Sequence, residues 1–243
     1  MKKSFVPKKA YKNLEFLNST DARTIRILAE YLEPLSRLKK HKVNSSVLFF
    51  GSARVHMKDE KAPLHKYYSD AEELAYLLST WAIKLKPKGK DFVICTGGGP
   101  GLMEAANRGA KRAGGVSMGM NISLPHEQEL NAYATPEISF IFHYFFMRKF
   151  WLVYKARAIV AFPGGFGTLD EVFELLTLVQ NDKILKKDIV ILLYGEEYWK
   201  EIVDFDALVR YKTISLEDLQ IFSFSSDPRN AFEFLKGRLT RFL

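Results

Sequence analysis

One cysteine, Cys95, stands in 243 residues, and a single thiol excludes any internal disulfide framework. It closes the apolar run Phe92-Val-Ile-Cys95 and so reads as a buried strand residue rather than a nucleophile or a metal ligand. Long apolar stretches are missing as well. The longest, Ile138–Met147 broken by His143 and Ile189–Tyr194, fall well short of the ~18 residues of a membrane-spanning helix. The N-terminus is basic but has no apolar segment of the secretory type. These absences predict a soluble protein of a reducing cytoplasm, not associated with a membrane. Two common nucleotide fingerprints are also lacking. No Gly-Lys-Ser/Thr closes a Walker loop, and no GxGxxG is followed about twenty residues on by a ribose-reading acid.

Acidic charge is scarce at one end. Residues 1–42 hold 11 Lys and Arg against Glu15, Asp21, Glu30 and Glu33, so +7 of the net +8 lies there and the remaining chain is nearly neutral. A basic arm can attract nucleic acid, an anionic membrane or an acidic partner. No interleaved aromatic platform or nucleic-acid motif accompanies this one, which favours a solvated tail and helix face over a nucleic-acid partner. The chain divides accordingly into a basic N-terminal arm and helix, residues 1–42, and a single domain over 43–243.

What is present is alternation. Residues 1–18 read as an extended arm. A helix then runs to about Leu38, with Ser19, Thr20 and Asp21 as capping oxygens, Ile25, Leu28, Ala29, Leu32 and Leu35 at helical spacing, and Pro34 as a place to bend or end it. Strands are predicted at 47–50, 92–95, 116–120, 138–142, 158–162, 189–193 and 222–224. Helices fall between them, near 67–82, 101–113, 145–155, 168–179 and 198–211, with a last one opened by Asp227-Pro228. Continuous apolar strands separated by amphipathic helices imply an α/β, Rossmann-like doubly wound parallel sheet carrying an N-terminal helical extension.

In such a sheet the ligand sits beyond the carboxyl ends of the strands, and two glycine-rich turns fall there: TGGGPGLMEAAN at 96–107 and PGGFGTLDE at 163–171. Each leads into a helix, which aims backbone N–H groups and a positive dipole end at one place, as phosphate binding requires. Gly51, Ser52 and Arg54 follow the first strand. Ser52 and Thr168 add hydroxyl donors to the glycine turns. Asp170 and Glu171 are expected in the first turn of their helix, where carboxylates usually complement the dipole. Beside a phosphate-binding turn, however, an acid opposes its ligand and suggests use on a neighbouring part of the substrate. Arg148 and Lys149, in FFMRKFW, open the helix before that strand.

PGGFGTLDE resembles the PGGxGTxxE signature of the Lonely Guy family of nucleoside 5′-monophosphate phosphoribohydrolases, which activate cytokinins. Met147-Arg148-Lys149 resembles that family's Arg-Lys motif. GSAR at 51–54, GGGPGLMEAAN at 97–107 and LPHEQELN at 124–131 look like its longer bacterial branch, so the resemblance covers about residues 43–200. It implies hydrolysis of an N-glycosidic bond in a nucleotide of the AMP or cytokinin riboside monophosphate type, with no cofactor and no metal. By match to the motifs, Glu171 would stabilise the developing oxocarbenium ion or activate water, and Arg148 would be its catalytic partner. Thr168 with the backbone of Gly164, Gly165 and Gly167 would hold the 5′-phosphate, aided by Ser52 and the backbone of Gly98 and Gly99. Lys149 joins this binding set, and Glu104, Glu127 and Gln128 are candidates for ribose or base. The short plant members have glycine where this chain has Glu104. Members of the family are commonly dimers with sites near the interface, and the aromatic helix from Phe145 fits a homodimer. Many also carry the label "lysine decarboxylase", yet no Schiff-base lysine with supporting partners stands out. The competing reading is a nucleotide or cofactor carrier on the same fold, which needs the glycine turns but not the Arg148 and Glu171 pair.

Overall fold

The computed structural model describes residues 7–124, 129–185 and 189–242. Among these, seven strands form one sheet: β1 (Ser46–Phe50), β2 (Val93–Thr96), β3 (Ser117–Ile122), β4 (Phe140–Phe142), β5 (Ala156–Ala161), β6 (Val190–Tyr194) and β7 (Phe222–Ser225). Their order is β4-β3-β2-β1-β5-β6-β7, and every pairing is parallel. The order reverses between β1 and β5, which opens a crevice at their carboxyl ends. The structure is thus the α/β, Rossmann-like fold that alternation predicts.

The helices are α1 (Leu14–Asn18), α2 (Arg23–Lys40), α3 (Lys66–Leu85), α4 (Leu102–Arg112), α5 (Phe145–Tyr154), α6 (Phe166–Gln180), α7 (Glu196–Ile202), α8 (Phe205–Arg210) and α9 (Pro228–Leu239). Side-chain alternation along β1 divides the core in two. Val47 and Phe49 pack with Tyr67 and Leu74 of α3, Leu102 of α4 and Leu235 of α9. Leu48 and Phe50 pack with Leu38 of α2, Trp151 of α5, Leu175 of α6 and Trp199 of α7. Both faces of the sheet are therefore covered, as continuous apolar strands require.

Several boundaries differ from the sequence expectation for identifiable reasons. The segment before Ser19 is not an extended arm where described: a 3-10 turn at Ala10–Lys12 leads into α1, capped by Asn13. Ser19, Thr20 and Asp21 do not cap α2, whose first turn follows buried Ala22. Arg26 holds that corner instead, its guanidinium donating to the carbonyls of Leu17 and Ser19 at 2.6 Å each. Pro34 is accommodated inside α2, and the helix continues to Lys40. The stretch at 138–142 begins as a 3-10 turn, Pro136–Ile138, which delays β4 to Phe140. The helical stretch at 198–211 is two helices, broken where Asp204 caps α8 by accepting from Ala207 N–H. At α9 Asp227 caps the helix and Pro228 opens it, as the sequence indicates.

Candidate functional site

The backbone of Ser52, just beyond β1, joins the two glycine turns. Its N–H donates to Pro163 O at 3.0 Å, and its carbonyl accepts from Leu102 N–H at 3.0 Å. Both following helices start on a glycine, Gly101 for α4 and Gly165 for α6, and no side chain caps either. An uncapped helix start can leave N–H groups for an anion, but at α4 the first of them already belongs to the Ser52 carbonyl. Gly101 has φ of +72°, and a side chain there would collide with the Ser52 carbonyl, so only glycine permits this junction.

The first turn is buried and tied down. Thr96 Oγ1 accepts from Gly98 N–H at 2.9 Å and donates to Asn107 Oδ1 at 2.8 Å. The Asn131 amide donates to the carbonyls of Gly98 and Gly99 and to Asn107 Oδ1, at 3.2, 3.0 and 2.9 Å. Asn107 in turn donates to Ser117 Oγ. What Gly98 brings to the crevice is therefore shape, since its amide proton already has a partner.

The second turn is more open. Gly165 and Gly167 are exposed, and Phe166 between them is 92 % exposed. Thr168 is buried, its hydroxyl over Gly164, whose carbonyl accepts from Tyr198 OH at 2.6 Å. The helix begins at Phe166, inside the glycine motif, so Asp170 and Glu171 lie in its second turn rather than its first. The dipole does not account for them.

Glu171 is only 6 % exposed and meets Arg148 across 3.5 Å. Arg148 is fixed from two sides. Its Nε donates to Met120 O at 2.9 Å, and its guanidinium lies against Gly97, where a Cβ would come within 2.7 Å of it. Burial pushes the Glu171 carboxyl up to about 7, against the opposing pull of Arg148 and Lys149. Burial likewise lowers the Arg148 pKa, opposed by Glu171. The pair is therefore a buried acid able to hold or release a proton near neutrality beside a guanidinium. Cys95 is fully buried, and that burial pushes its thiol up to about 12, consistent with a strand residue and not with a nucleophile.

Other candidates are placed differently. Lys149 bridges Asp170 at 2.7 Å and Glu174 at 2.9 Å. Burial draws its pKa down, but the hydrogen bonds it donates to Asp170 and Glu174, together with the charges of Glu174 and Glu171, outweigh this and raise it. A Schiff-base lysine must be neutral to react, so Lys149 does not fit pyridoxal phosphate chemistry. Glu104 accepts from Tyr68 OH at 2.9 Å, which fixes one of its oxygens. Glu127 and Gln128 lie outside the described residues.

Sequence reasoning missed Thr96, Asn107 and Asn131, although the two asparagines close motifs already quoted. For Asn107 the signal was available: an asparagine on the apolar face of a helix must find buried partners. The Met120 carbonyl and Tyr198 left no such trace.

The profile of a family described as "Possible lysine decarboxylase" matches residues 103–235, more than half of the chain. Among solved structures, the molybdenum cofactor carrier protein of Chlamydomonas reinhardtii superposes with a TM-score of 0.55 at 20% identity, covering 81% of this chain and 99% of that one. The molybdenum cofactor binding protein of Rippkaea orientalis gives 0.53 at 20% identity, covering 80% and 96%. The structural-genomics target TM1055 gives 0.53 at 21% identity, covering 79% and 99%. At these identities the likeness is one of fold. No curated protein matches the chain.

Proposed function

The chain belongs to the Lonely Guy family, the one that the matching profile describes as possible lysine decarboxylases, and from that membership we propose that it hydrolyses nucleoside 5′-monophosphates to free base and ribose 5-phosphate. The observation that carries the reading is the buried Arg148–Glu171 pair beside the turn that opens α6. Cleaving an N-glycosidic bond builds positive charge on the sugar, and a carboxylate near C1′ stabilises it or takes a proton from water. A carboxyl poised near pH 7 suits that task. Arg148 orients it and lies where a leaving base would gain electrons.

The 5′-phosphate would sit at the start of α6, held by the Thr168 hydroxyl and the backbone of Gly164, Gly165 and Gly167. Ser52 and the first turn would form the facing wall. A second copy of the chain would cover the exposed aromatic side chains Phe145, Phe146, Phe150 and Tyr154 of α5, next to the helix face that bears Arg148. No helix among the described residues is long and apolar enough to cross a membrane.

The test compares AMP with adenosine. Remote binding energy at the phosphate should be used to orient the reacting centre, so kcat/KM for adenosine should be lower by a hundredfold or more. Equal efficiency on both would remove the phosphate anchor. The carrier reading, suggested by the molybdenum cofactor carrier and binding proteins that share the fold, differs in one respect: a carrier holds its ligand unchanged.

A further inference from the structure

The link between the basic extension and α5 is unusual because its bonds span more than a hundred residues. The Glu30 carboxylate, on α2, accepts from His143 N–H at 2.7 Å and from Tyr144 N–H at 3.3 Å. These are the two residues immediately before α5, which has no capping side chain of its own. The Glu30 carbonyl accepts from Trp151 Nε1 at 2.9 Å, nearly two turns along the same helix. Tyr31 packs against the rings of Phe150 and Trp151, and the Arg37 guanidinium lies 3.9 Å over Phe140 of β4. One residue of α2 thus grips α5 at its start and near its middle, and places a negative charge at the positive end of its dipole. Between the two grips lies Arg148.

We propose that Glu30 is a positioning residue for Arg148, fixing the register of α5 and through it the place where the guanidinium meets Glu171. The proposal rests on the reading of the crevice as a hydrolytic site. Arg148 has little latitude: its Nε must reach Met120 O while its guanidinium lies against Gly97. A helix released at its start can slide or roll along the sheet. Displacements of about 1 Å are enough to cost a hundredfold in rate when a catalytic group is misplaced.

The test uses the full-length protein with Glu30→Ala and Glu30→Gln, each in the presence of Arg148 and of Arg148→Ala. Glu30→Ala should lower kcat by about tenfold to a hundredfold with KM changed far less, and Glu30→Gln, which keeps an acceptor oxygen but loses the charge at the helix start, should recover part of that loss. In the Arg148→Ala background, Glu30→Ala should add no further loss, because its effect passes through Arg148. Carbon-13 NMR of the Glu171 carboxyl gives a readout that needs no turnover. The groups facing that carboxyl are Arg148 and Lys149 from α5 and Asp170 and Glu174 from its own helix. Withdrawing Arg148 removes the larger of the two cationic pulls, so the Glu171 titration should move upward in Glu30→Ala. Additive losses in the double variant, or an unchanged titration in a folded Glu30 variant, would overturn the proposal. Should Glu30→Ala not fold, the Glu30→Gln variant carries the titration test, with a smaller upward shift expected. If the unmodified protein releases no base at all, the hydrolytic reading fails by itself and the titration still decides the role of Glu30.

Discussion

The two glycine turns have similar sequences and opposite surroundings. The turn after β2 is buried, its carbonyls held by Asn131 and one amide by Thr96, and the first N–H of its helix donates to Ser52. The turn after β5 leaves Gly165, Phe166 and Gly167 exposed at an uncapped helix start. A glycine-rich turn therefore does not by itself predict anion binding; what matters is whether its N–H groups already have partners. By that criterion the second turn is the one we propose as the anchor and the first as a rigid wall, and the Ser52 backbone bonds to both. The wall also supplies the space at Gly97 in which Arg148 lies.

The largest effect should come from the chemistry that this arrangement frames. Glu171→Gln should lower turnover by about a hundredfold or more, the usual worth of acid–base catalysis, while leaving nucleotide affinity within a few-fold. Calorimetric binding and base release measured on the same preparation check both halves, and near-normal turnover would exclude Glu171 from the mechanism.

Glycine replacement should separate the two turns. Gly101→Ala forces a side chain into a left-handed conformation against the Ser52 carbonyl and should cost about 2–3 kcal/mol of stability. Gly165→Ala, whose side chain would meet open space at an extended backbone position, should leave the melting temperature nearly unchanged and weaken binding of the monophosphate. Chemical denaturation together with AMP affinity reads the contrast. Equal stability losses at both positions would erase it.

A smaller effect tests the buried carboxyl. Burial raises the Glu171 pKa from 4.5 to about 7, so the fold favours its protonated form. That contribution is fully present below about pH 4.5 and is lost as pH rises through about 7. Glu171→Gln, which mimics the protonated carboxyl, should therefore match the unmodified protein in stability at pH 4.5 and exceed it at pH 8, by on the order of 3 kcal/mol. Activity should follow the opposite course, rising through the same range as the base ionises. A stability difference independent of pH would show that the carboxyl is not buried as described.

The smallest effect concerns the extension. Removing residues 1–18 leaves α2 and Glu30 in place, so turnover should stay within a few-fold of the intact chain. Loss of activity with the circular dichroism spectrum preserved would make the first eighteen residues part of the site.

The sheet was legible in the sequence because parallel strands covered on both faces are continuous apolar runs, as at Val47–Phe50 and Ile189–Leu193. Junctions were less legible. Ser19, Thr20 and Asp21 have the composition of a helix cap, yet Arg26 fixes that corner through backbone carbonyls, a long-range choice that local propensity does not encode. Of the candidate site, the family resemblance paired Arg148 with Glu171, and the structure brings them within 3.5 Å. It did not reveal that Lys149 is engaged with Asp170 and Glu174, because three charged residues on two helices meet only once α5 and α6 are packed side by side. Nor did it expose Glu30, whose partners are backbone N–H groups and so carry no residue identity to read.

Incubation of the unmodified protein with AMP at pH 8, followed by chromatography of the products, tests the central claim most directly. The account predicts adenine and ribose 5-phosphate in equal amounts, released over many turnovers and abolished by Glu171→Gln. Tight binding of AMP with no release of adenine, by AMP or by any other nucleoside monophosphate tried in its place, would contradict it and leave a carrier on the same fold.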